Sequence, residues 1–159
     1  MIAPLAHVRE LQDTRNITKM LGIIEFDPRA AYSKTSKSIN TLILVSDHEN
    51  YVDETSPSVA TIERILAFGA SLKLDDNVLI HCFAGVSRST AAGLIVFYNM
   101  TKDADKAAEY VLRCQPLAAP NRVIVSLADE FLRAGGELNR VAKKMNEKRG
   151  YNLMVNQKQ

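Results

Sequence analysis

The chain has 159 residues, of which 47% are hydrophobic and 24% charged, and its formal net charge is +2 at pH 7. A chain of this size forms one domain with a continuous core, so we expect a single domain over residues 1–150 and a flexible tail over residues 151–159. The near-neutral charge gives no indication of the concentrated basic face that binds nucleic acid or a membrane surface, so we expect neither as a partner, and no window approaches a membrane span.

The cysteines and the amino-terminal sequence indicate the cellular compartment of the protein. The two cysteines, Cys82 and Cys114, show no disulfide or zinc-ligand spacing, and the amino terminus lacks the features of a signal peptide. We therefore expect a cytoplasmic protein with reduced cysteines and no zinc site. Cys114 lies in a helical pattern and is expected to be a small core residue, not a disulfide partner of Cys82. The oligomeric state is not predicted.

The first half of the chain alternates short apolar runs with polar connections. In chain order the pattern predicts a strand over residues 2–8 and a short helical connection over residues 9–13. Two further strands follow over residues 17–26 and 41–45, and then a long helix over residues 56–76. In the long helix, Ser56 is expected to be the N-cap and Pro57 the first helical residue.

A strand over residues 77–81 leads into the second half, where the apolar spacing is helical. The predicted helices cover residues 89–100, 103–113, 121–133 and 137–148. Strands alternating with helices indicate an α/β fold, in which a central, mostly parallel sheet of four to five strands is flanked by helices.

The junction between strand 77–81 and the next helix reads HCFAGVSRST, from His81 to Thr90. A strand–loop–helix junction directs backbone N–H groups and a helix N-terminus at one point, which is a geometry that binds anions. Gly85 lets the backbone turn its amides inward without a Cβ in the way. We call residues 83–88 the anion loop. Its amides are expected to bind phosphate: Phe83, Ala84, Gly85, Val86, Ser87 and Arg88.

Cys82 and Arg88 are the chemically distinctive residues of this stretch. The helix dipole, the loop amides and Arg88 all favour the thiolate of Cys82, which is a strong nucleophile. The planar guanidinium of Arg88 binds two phosphate oxygens at once, which a lysine cannot do. Ser89 is placed where its hydroxyl reaches the Cys82 sulfur. The alternative is an inert, buried Cys82 and a surface Arg88 in a salt bridge.

These residues resemble the signature of the cysteine-dependent protein tyrosine and dual-specificity phosphatases, His-Cys-x-x-Gly-x-x-Arg followed by Ser or Thr. The five fixed positions are met by His81, Cys82, Gly85, Arg88 and Ser89. The resemblance implies a compact phosphatase that hydrolyses phosphotyrosine, and also phosphoserine or phosphothreonine, through a phosphocysteine. Its substrates would be phosphorylated proteins or small phosphomonoesters, and it would require no metal and no organic cofactor. His81 would hydrogen-bond around the Cys82 backbone and tune the ionisation of the thiol; the alternative is a purely structural histidine.

The resemblance also implies a general acid on a loop about thirty residues before the cysteine. Asp47, directly after strand 41–45, is the first candidate, Asp53 is the second, and a loop without a dedicated acid is the third possibility. Asn121 matches a "Pro-Asn" element whose asparagine braces the phosphate-binding loop. Asn121 is also placed to cap the following helix, and one residue can both cap a helix and brace the loop.

Two other functions stay open. One is a catalytically weak phosphate-binding module, or pseudophosphatase, that recognises phosphorylated partners. The other is a sulfurtransferase or arsenate reductase, which fits the His-Cys start and the Arg-Ser finish less well. Phosphoinositides are disfavoured as substrates, because no lysine occupies the variable positions Phe83, Ala84 and Val86. Tyr32 or Tyr51 is expected to set the depth of the pocket.

Overall fold

The computed structural model describes residues 1–50 and 53–156, with the side chains up to residue 149. Four strands, six helices and a short 3-10 turn, Arg29–Ala31, make up the described part of the chain. In chain order the strands and helices are β1 (Ile2–Pro4), α1 (Leu5–Thr14), β2 (Lys19–Ile24), β3 (Ile39–Leu44), α2 (Val59–Ala70), β4 (Val78–Cys82), α3 (Arg88–Thr101), α4 (Ala104–Cys114), α5 (Arg122–Phe131) and α6 (Glu137–Asn156).

The sheet is parallel throughout, with the strand order β1-β4-β2-β3. This confirms the predicted α/β fold with a central parallel sheet. The two inner strands, β2 and β4, are almost entirely apolar and buried, as strands covered on both faces must be. Because the strands are parallel, the segments that follow β2, β3 and β4 all leave the same edge of the sheet. Residues far apart in the sequence therefore meet there.

Two apolar cores of unequal size lie on the two faces of the sheet. Helix α1 and the 3-10 turn cover the smaller one, while α2 and α3 pack on the other face. Helices α4 and α5 pack against α2 and α3, and α6 packs against α4 and α5. Successive strand residues point to opposite faces, so Met20 enters one core and Leu21 the other. The smaller core contains Ala3, Val8, Ile17, Met20, Tyr32 and Leu79.

The amino-terminal segment differs from the prediction. Strand β1 ends at Pro4 and α1 begins at Leu5, so the predicted strand over residues 2–8 is wrong beyond Pro4. Val8 is fully buried, and Leu5 and Leu11 pack partly buried against the smaller core. This spacing is helical, and a short apolar run does not by itself separate it from a strand.

Helix α2 begins later than predicted. Its N-cap is Ser58 and not Ser56, so Pro57 precedes the helix. The Ser58 N–H donates to the Thr61 hydroxyl at 3.1 Å, as in a capping box. Ser56 belongs instead to the preceding turn, where its hydroxyl oxygen accepts a hydrogen bond from the Asp53 N–H at 2.8 Å.

Cys114 is exposed at the last position of α4, so the prediction of a core cysteine is wrong. Both cysteines are free thiols. The predicted strands over residues 17–26, 41–45 and 77–81 and the predicted helices over residues 89–100, 103–113 and 121–133 match the structure within two residues at each end. Helix α2 ends at Ala70, before its predicted end at residue 76. Helix α6 continues to Asn156, through the first part of the segment that was predicted as a tail, and residues 157–159 lie outside the described residues. None of the described helices combines the length and the apolar character that crossing a bilayer requires.

Candidate active site

The anion loop is held from outside through its carbonyl groups. Four carbonyl oxygens accept hydrogen bonds from neighbouring segments: Phe83 O from Leu5 N (3.0 Å), Gly85 O from Gln115 Nε2 (3.1 Å), Val86 O from Ala119 N (2.8 Å) and Ser87 O from Asn121 N (3.4 Å). In a trans peptide plane the N–H points away from the C=O. Since these carbonyls point outward, the amides of the following residues turn toward the interior of the loop, where they can bind an anion.

Gly85 is required by this arrangement. Its φ angle is +72°, in the left-handed region, and a Cβ on it would lie 2.4 Å from the backbone nitrogen of Pro4. The loop therefore packs against the end of β1 at a distance that only glycine permits.

Cys82 is buried at the end of β4, beneath the anion loop. Its Sγ accepts a hydrogen bond from the Gly85 N–H at 3.2 Å and lies 3.2 Å from the Ser89 hydroxyl oxygen. Both groups can donate to a sulfur anion. The structure thus brings Ser89 to the sulfur, where the sequence placed it.

Arg88 is buried, contrary to the alternative of a surface arginine. Its Nη1 donates to the Val45 carbonyl oxygen at 2.8 Å and lies 3.7 Å from Glu25 Oε2, and its Nε lies 3.8 Å from Asp47 Oδ1. Nε is buried and makes no hydrogen bond to the described residues. A buried N–H that lacks a hydrogen bond, beside an anion loop, is a donor that a phosphate oxygen can satisfy.

Asp47 lies next to the anion loop. Its Oδ1 accepts hydrogen bonds from the Ser87 hydroxyl at 2.7 Å and from Asn121 Nδ2 at 2.9 Å. Its Oδ2 accepts none from the described residues. One carboxylate oxygen is therefore held in place while the other stays available for proton transfer.

Asn121 caps α5 as expected, whereas its side chain makes no hydrogen bond to the anion loop among the described residues. Its side-chain oxygen accepts from the Ile124 N–H at 3.0 Å and caps α5. Its contact with the anion loop comes from the backbone N–H, whereas its side-chain amide binds Asp47.

Asp53 makes local hydrogen bonds. Its Oδ1 accepts from the N–H and the hydroxyl of Thr55, both at 2.8 Å, and these bonds lower the pKa of the exposed carboxyl group. A lowered pKa favours the carboxylate over the protonated acid. Among the described residues, no hydrogen bond joins Asp53 to the anion loop.

His81 is fully buried and its Nε2 lies 2.7 Å from the Tyr32 hydroxyl oxygen. Burial lowers the pKa of His81 to about 4, and interaction with the Cys82 backbone opposes that shift without reversing it. Gly22 lies opposite His81 in the β2–β4 pairing, and a Cβ on it would be 2.7 Å from His81 Nε2. This glycine makes room for a neutral histidine behind Cys82.

Tyr32 does not set the pocket depth, because it is buried against His81; that expectation is wrong. Tyr51 lies outside the described residues. Sequence reasoning also missed Glu25 and Gln115, which contact Arg88 and the Gly85 carbonyl. The sequence could have indicated Glu25 as a site residue, since it is the first charged residue after a buried strand. No feature of the sequence indicated Gln115.

The fold is shared with solved phosphatase structures, although no protein-family model matches the sequence and no curated protein is significantly similar to it. DUSP15 is 20% identical, with a TM-score of 0.66 over 92% of this chain and 89% of that one. Human DUSP28 is 18% identical, with a TM-score of 0.63 over 84% and 87%. A human tyrosine phosphatase-like serine/threonine/tyrosine-interacting protein is 17% identical, with a TM-score of 0.64 over 83% and 89%. The chain therefore has the fold of the dual-specificity phosphatases.

Proposed function

We propose that this protein is a cysteine-dependent phosphomonoester hydrolase that acts on phosphotyrosine, and also on phosphoserine or phosphothreonine, through a phosphocysteine intermediate. The observation that carries the proposal is the convergence of four groups on one loop: the Cys82 thiol, the buried Arg88, the Ser89 hydroxyl and the Asp47 carboxyl group. The shared fold supports it.

In the first step the loop amides and Arg88 bind the phosphate oxygens of the substrate. The Cys82 thiolate attacks phosphorus, so that an S–P bond forms and the P–O bond to the leaving group breaks. Asp47 protonates the departing oxygen from Oδ2, the carboxylate oxygen that the Ser87 and Asn121 hydrogen bonds leave available. The fixed guanidinium and amides stabilise the charge on the phosphoryl oxygens.

In the second step water attacks the phosphorus of the phosphocysteine. The Asp47 carboxylate takes a proton from this water, and the S–P bond breaks to release inorganic phosphate. Ser89, whose hydroxyl oxygen is 3.2 Å from Sγ, donates a hydrogen bond to the departing thiolate. His81 acts behind the nucleophile, as a neutral side chain that positions the end of β4.

The alternative is a module that binds phosphorylated partners without turnover. One solved structure with this fold is named a tyrosine phosphatase-like serine/threonine/tyrosine-interacting protein. Its name supports the alternative that this fold can serve in binding. The two functions differ in whether Asp47 transfers a proton. One catalytic domain over residues 1–150 and a cytoplasmic location stay predictions.

The test is hydrolysis of p-nitrophenyl phosphate by the purified full chain under reducing conditions. We expect turnover that survives a chelator, is inhibited by vanadate and is lost in Cys82→Ser. Cys114→Ser is the matched control and should retain full activity, because this second thiol is exposed at the end of α4 and no hydrogen bond joins it to the anion loop among the described residues. Activity that disappears with the chelator but persists in Cys82→Ser contradicts the mechanism. Binding of a phosphotyrosine peptide with no turnover of any ester supports the module.

A further inference from the structure

Glu49 lies two residues after Asp47 and contacts the start of α5. Its Oε1 accepts a hydrogen bond from the Arg122 N–H at 2.6 Å, and its Oε2 accepts one from Arg122 Nε at 2.8 Å. Both oxygens of one carboxylate thus bind a single residue that lies 73 positions later in the chain. We call residues 46–50 the acid loop and this pair of hydrogen bonds the loop clamp.

Three physical effects favour the loop clamp. Arg122 is the first residue of α5, so its N–H is one of the amides that have no acceptor within the helix. The helix dipole favours a carboxylate at this end of the helix. The Glu49 side chain is 24% exposed, so water screens its charge-assisted bond to the guanidinium only partly. The clamp therefore adds a capping hydrogen bond to an ion pair.

The loop clamp is one of two attachments between the acid loop and α5. Asn121, the N-cap of this helix, donates from Nδ2 to Asp47 Oδ1 at 2.9 Å and to the Asp47 carbonyl oxygen at 3.3 Å. Arg122 is the next residue, and it binds Glu49. A loop can pivot about a single attachment, whereas two attachments two residues apart fix its orientation. The direction of the Asp47 side chain therefore depends on both.

We propose that Glu49 is a positioning residue for the general acid: the loop clamp keeps the acid loop on α5, so that Asp47 Oδ2 faces a leaving group bound at the anion loop. The proposal rests on the proposed function, in which Asp47 protonates that group. Glu49 itself transfers no proton, because both of its oxygens accept hydrogen bonds from Arg122. Its effect is confined to the steps that use Asp47. Phosphate binding by the loop amides and Arg88 does not depend on it.

The size of the effect follows from the strength of the contact. Hydrogen bonds to charged groups typically change a local equilibrium by about tenfold or more. A catalytic group displaced by about 1 Å can lower a rate by about 10²-fold. We therefore expect removal of the clamp to lower kcat/KM by about tenfold for an ester whose leaving group must be protonated. The loss should stay below the ~10²–10⁴-fold contribution of the acid itself.

The first experiment compares Glu49→Ala with the native full chain on aryl phosphates whose phenols differ in pKa. We expect kcat/KM to fall about tenfold for esters of weakly acidic phenols and less than about twofold for esters of very acidic ones. The inhibition constant of inorganic phosphate should not change. An equal loss for all esters, no loss for any of them, or weaker phosphate binding would overturn the proposal.

Two further variants show whether Glu49 acts through Arg122. Glu49→Gln keeps an oxygen that accepts from the Arg122 N–H, so its loss should be smaller than that of Glu49→Ala. Arg122→Ala removes Nε, and its addition to Glu49→Ala should cause no further loss. A full additional loss in the double variant would contradict the clamp. Glu109→Ala is the matched control, because it breaks another Glu–Arg pair, with Arg113 within α4, and it should behave as the native protein does.

Amide hydrogen exchange tests the clamp without turnover. In Glu49→Ala the amides of the acid loop and of Arg122 should exchange about tenfold faster, whereas Glu109→Ala should leave them unchanged. If the native protein hydrolyses no ester, the proposed function fails. Faster exchange in Glu49→Ala then still supports the clamp, and unchanged exchange rejects it.

The opposite outcome is equally distinct. If Asp47→Asn shows the steep dependence on the leaving group while Glu49→Ala shows neither that dependence nor faster exchange, the enzyme stands and the clamp is rejected.

Discussion

The Asp47 carboxylate accepts a hydrogen bond from the side-chain amide of Asn121, 74 positions later in the chain, with 2.9 Å between Oδ1 and Nδ2. Asn121 also caps α5 by accepting from the Ile124 N–H at 3.0 Å. The position of the candidate general acid is therefore set by the start of a helix that follows the anion loop, and not only by the acid's own loop.

Replacement of Asp47 by asparagine tests its role as the acid. A leaving group of high pKa cannot depart unprotonated, whereas a very acidic phenol leaves almost unaided. We expect Asp47→Asn to lower kcat by about 10²–10⁴ for phosphotyrosine-like esters and only mildly for aryl phosphates with acidic phenols. A leaving-group series measured at constant pH checks this. Asp53→Asn is the control and should leave kcat unchanged for both classes of ester. If Asp53→Asn instead lowers kcat steeply for phosphotyrosine-like esters, the acid is Asp53.

Replacement of Asn121 by aspartate separates its two roles. The new side chain keeps an oxygen that caps α5 but puts a carboxylate where the donor to Asp47 was. The nearby like charge favours protonated Asp47, so the alkaline limb of the pH–rate profile should move to higher pH. Asn121→Ala should instead lose the cap and cost about 1 kcal/mol of stability. Thermal unfolding and pH–rate profiles of both variants provide the measurement, and an unmoved limb in Asn121→Asp would count against the contact.

His81 predicts how stability depends on pH. Its pKa in the folded protein is lowered from 6.5 to about 4 by burial, so between these values the unfolded chain binds more protons than the folded one. The contribution of His81 to the free energy of unfolding should therefore be fully present above about pH 6.5. It should be lost as the pH falls toward 4, which lowers the stability by roughly 3 kcal/mol at most. Urea unfolding at several pH values checks the slope. His81→Gln cannot titrate and should flatten it over this window; an equal slope in both proteins would assign the effect to other groups.

The two glycines Gly85 and Gly135 form a matched pair. Both have a positive φ, but a Cβ on Gly85 would collide with the Pro4 backbone whereas a Cβ on Gly135 meets nothing within 4 Å. We expect Gly135→Ala to cost about 1 kcal/mol of stability and no activity. Gly85→Ala should displace the anion loop and lower kcat/KM by about 10² or more. Steady-state kinetics with circular dichroism would reveal the opposite result, namely equal effects of the two substitutions.

The sequence by itself determined the parts of this protein that are local. His81, Cys82, Gly85, Arg88 and Ser89 lie within one strand–loop–helix junction, so their mutual geometry follows from the path of a short backbone segment. The parallel sheet could be predicted for a related reason, because strands joined through a helix, as β1 to β2 and β3 to β4 are, return in the same direction. The start of α1 could not, since Leu5 and Val8 suit a strand or a helix until the sheet face they cover is known.

Only the tertiary structure decided which distant residues complete the site. Glu25 and Asp47 follow β2 and β3, and they reach the anion loop because parallel strands end at one edge of the sheet. Gly22 faces His81 through the register of β2 on β4, which the sequence of neither strand specifies. The physical reason is that register and strand order depend on how the two cores fill, and this is a property of all the packed side chains together.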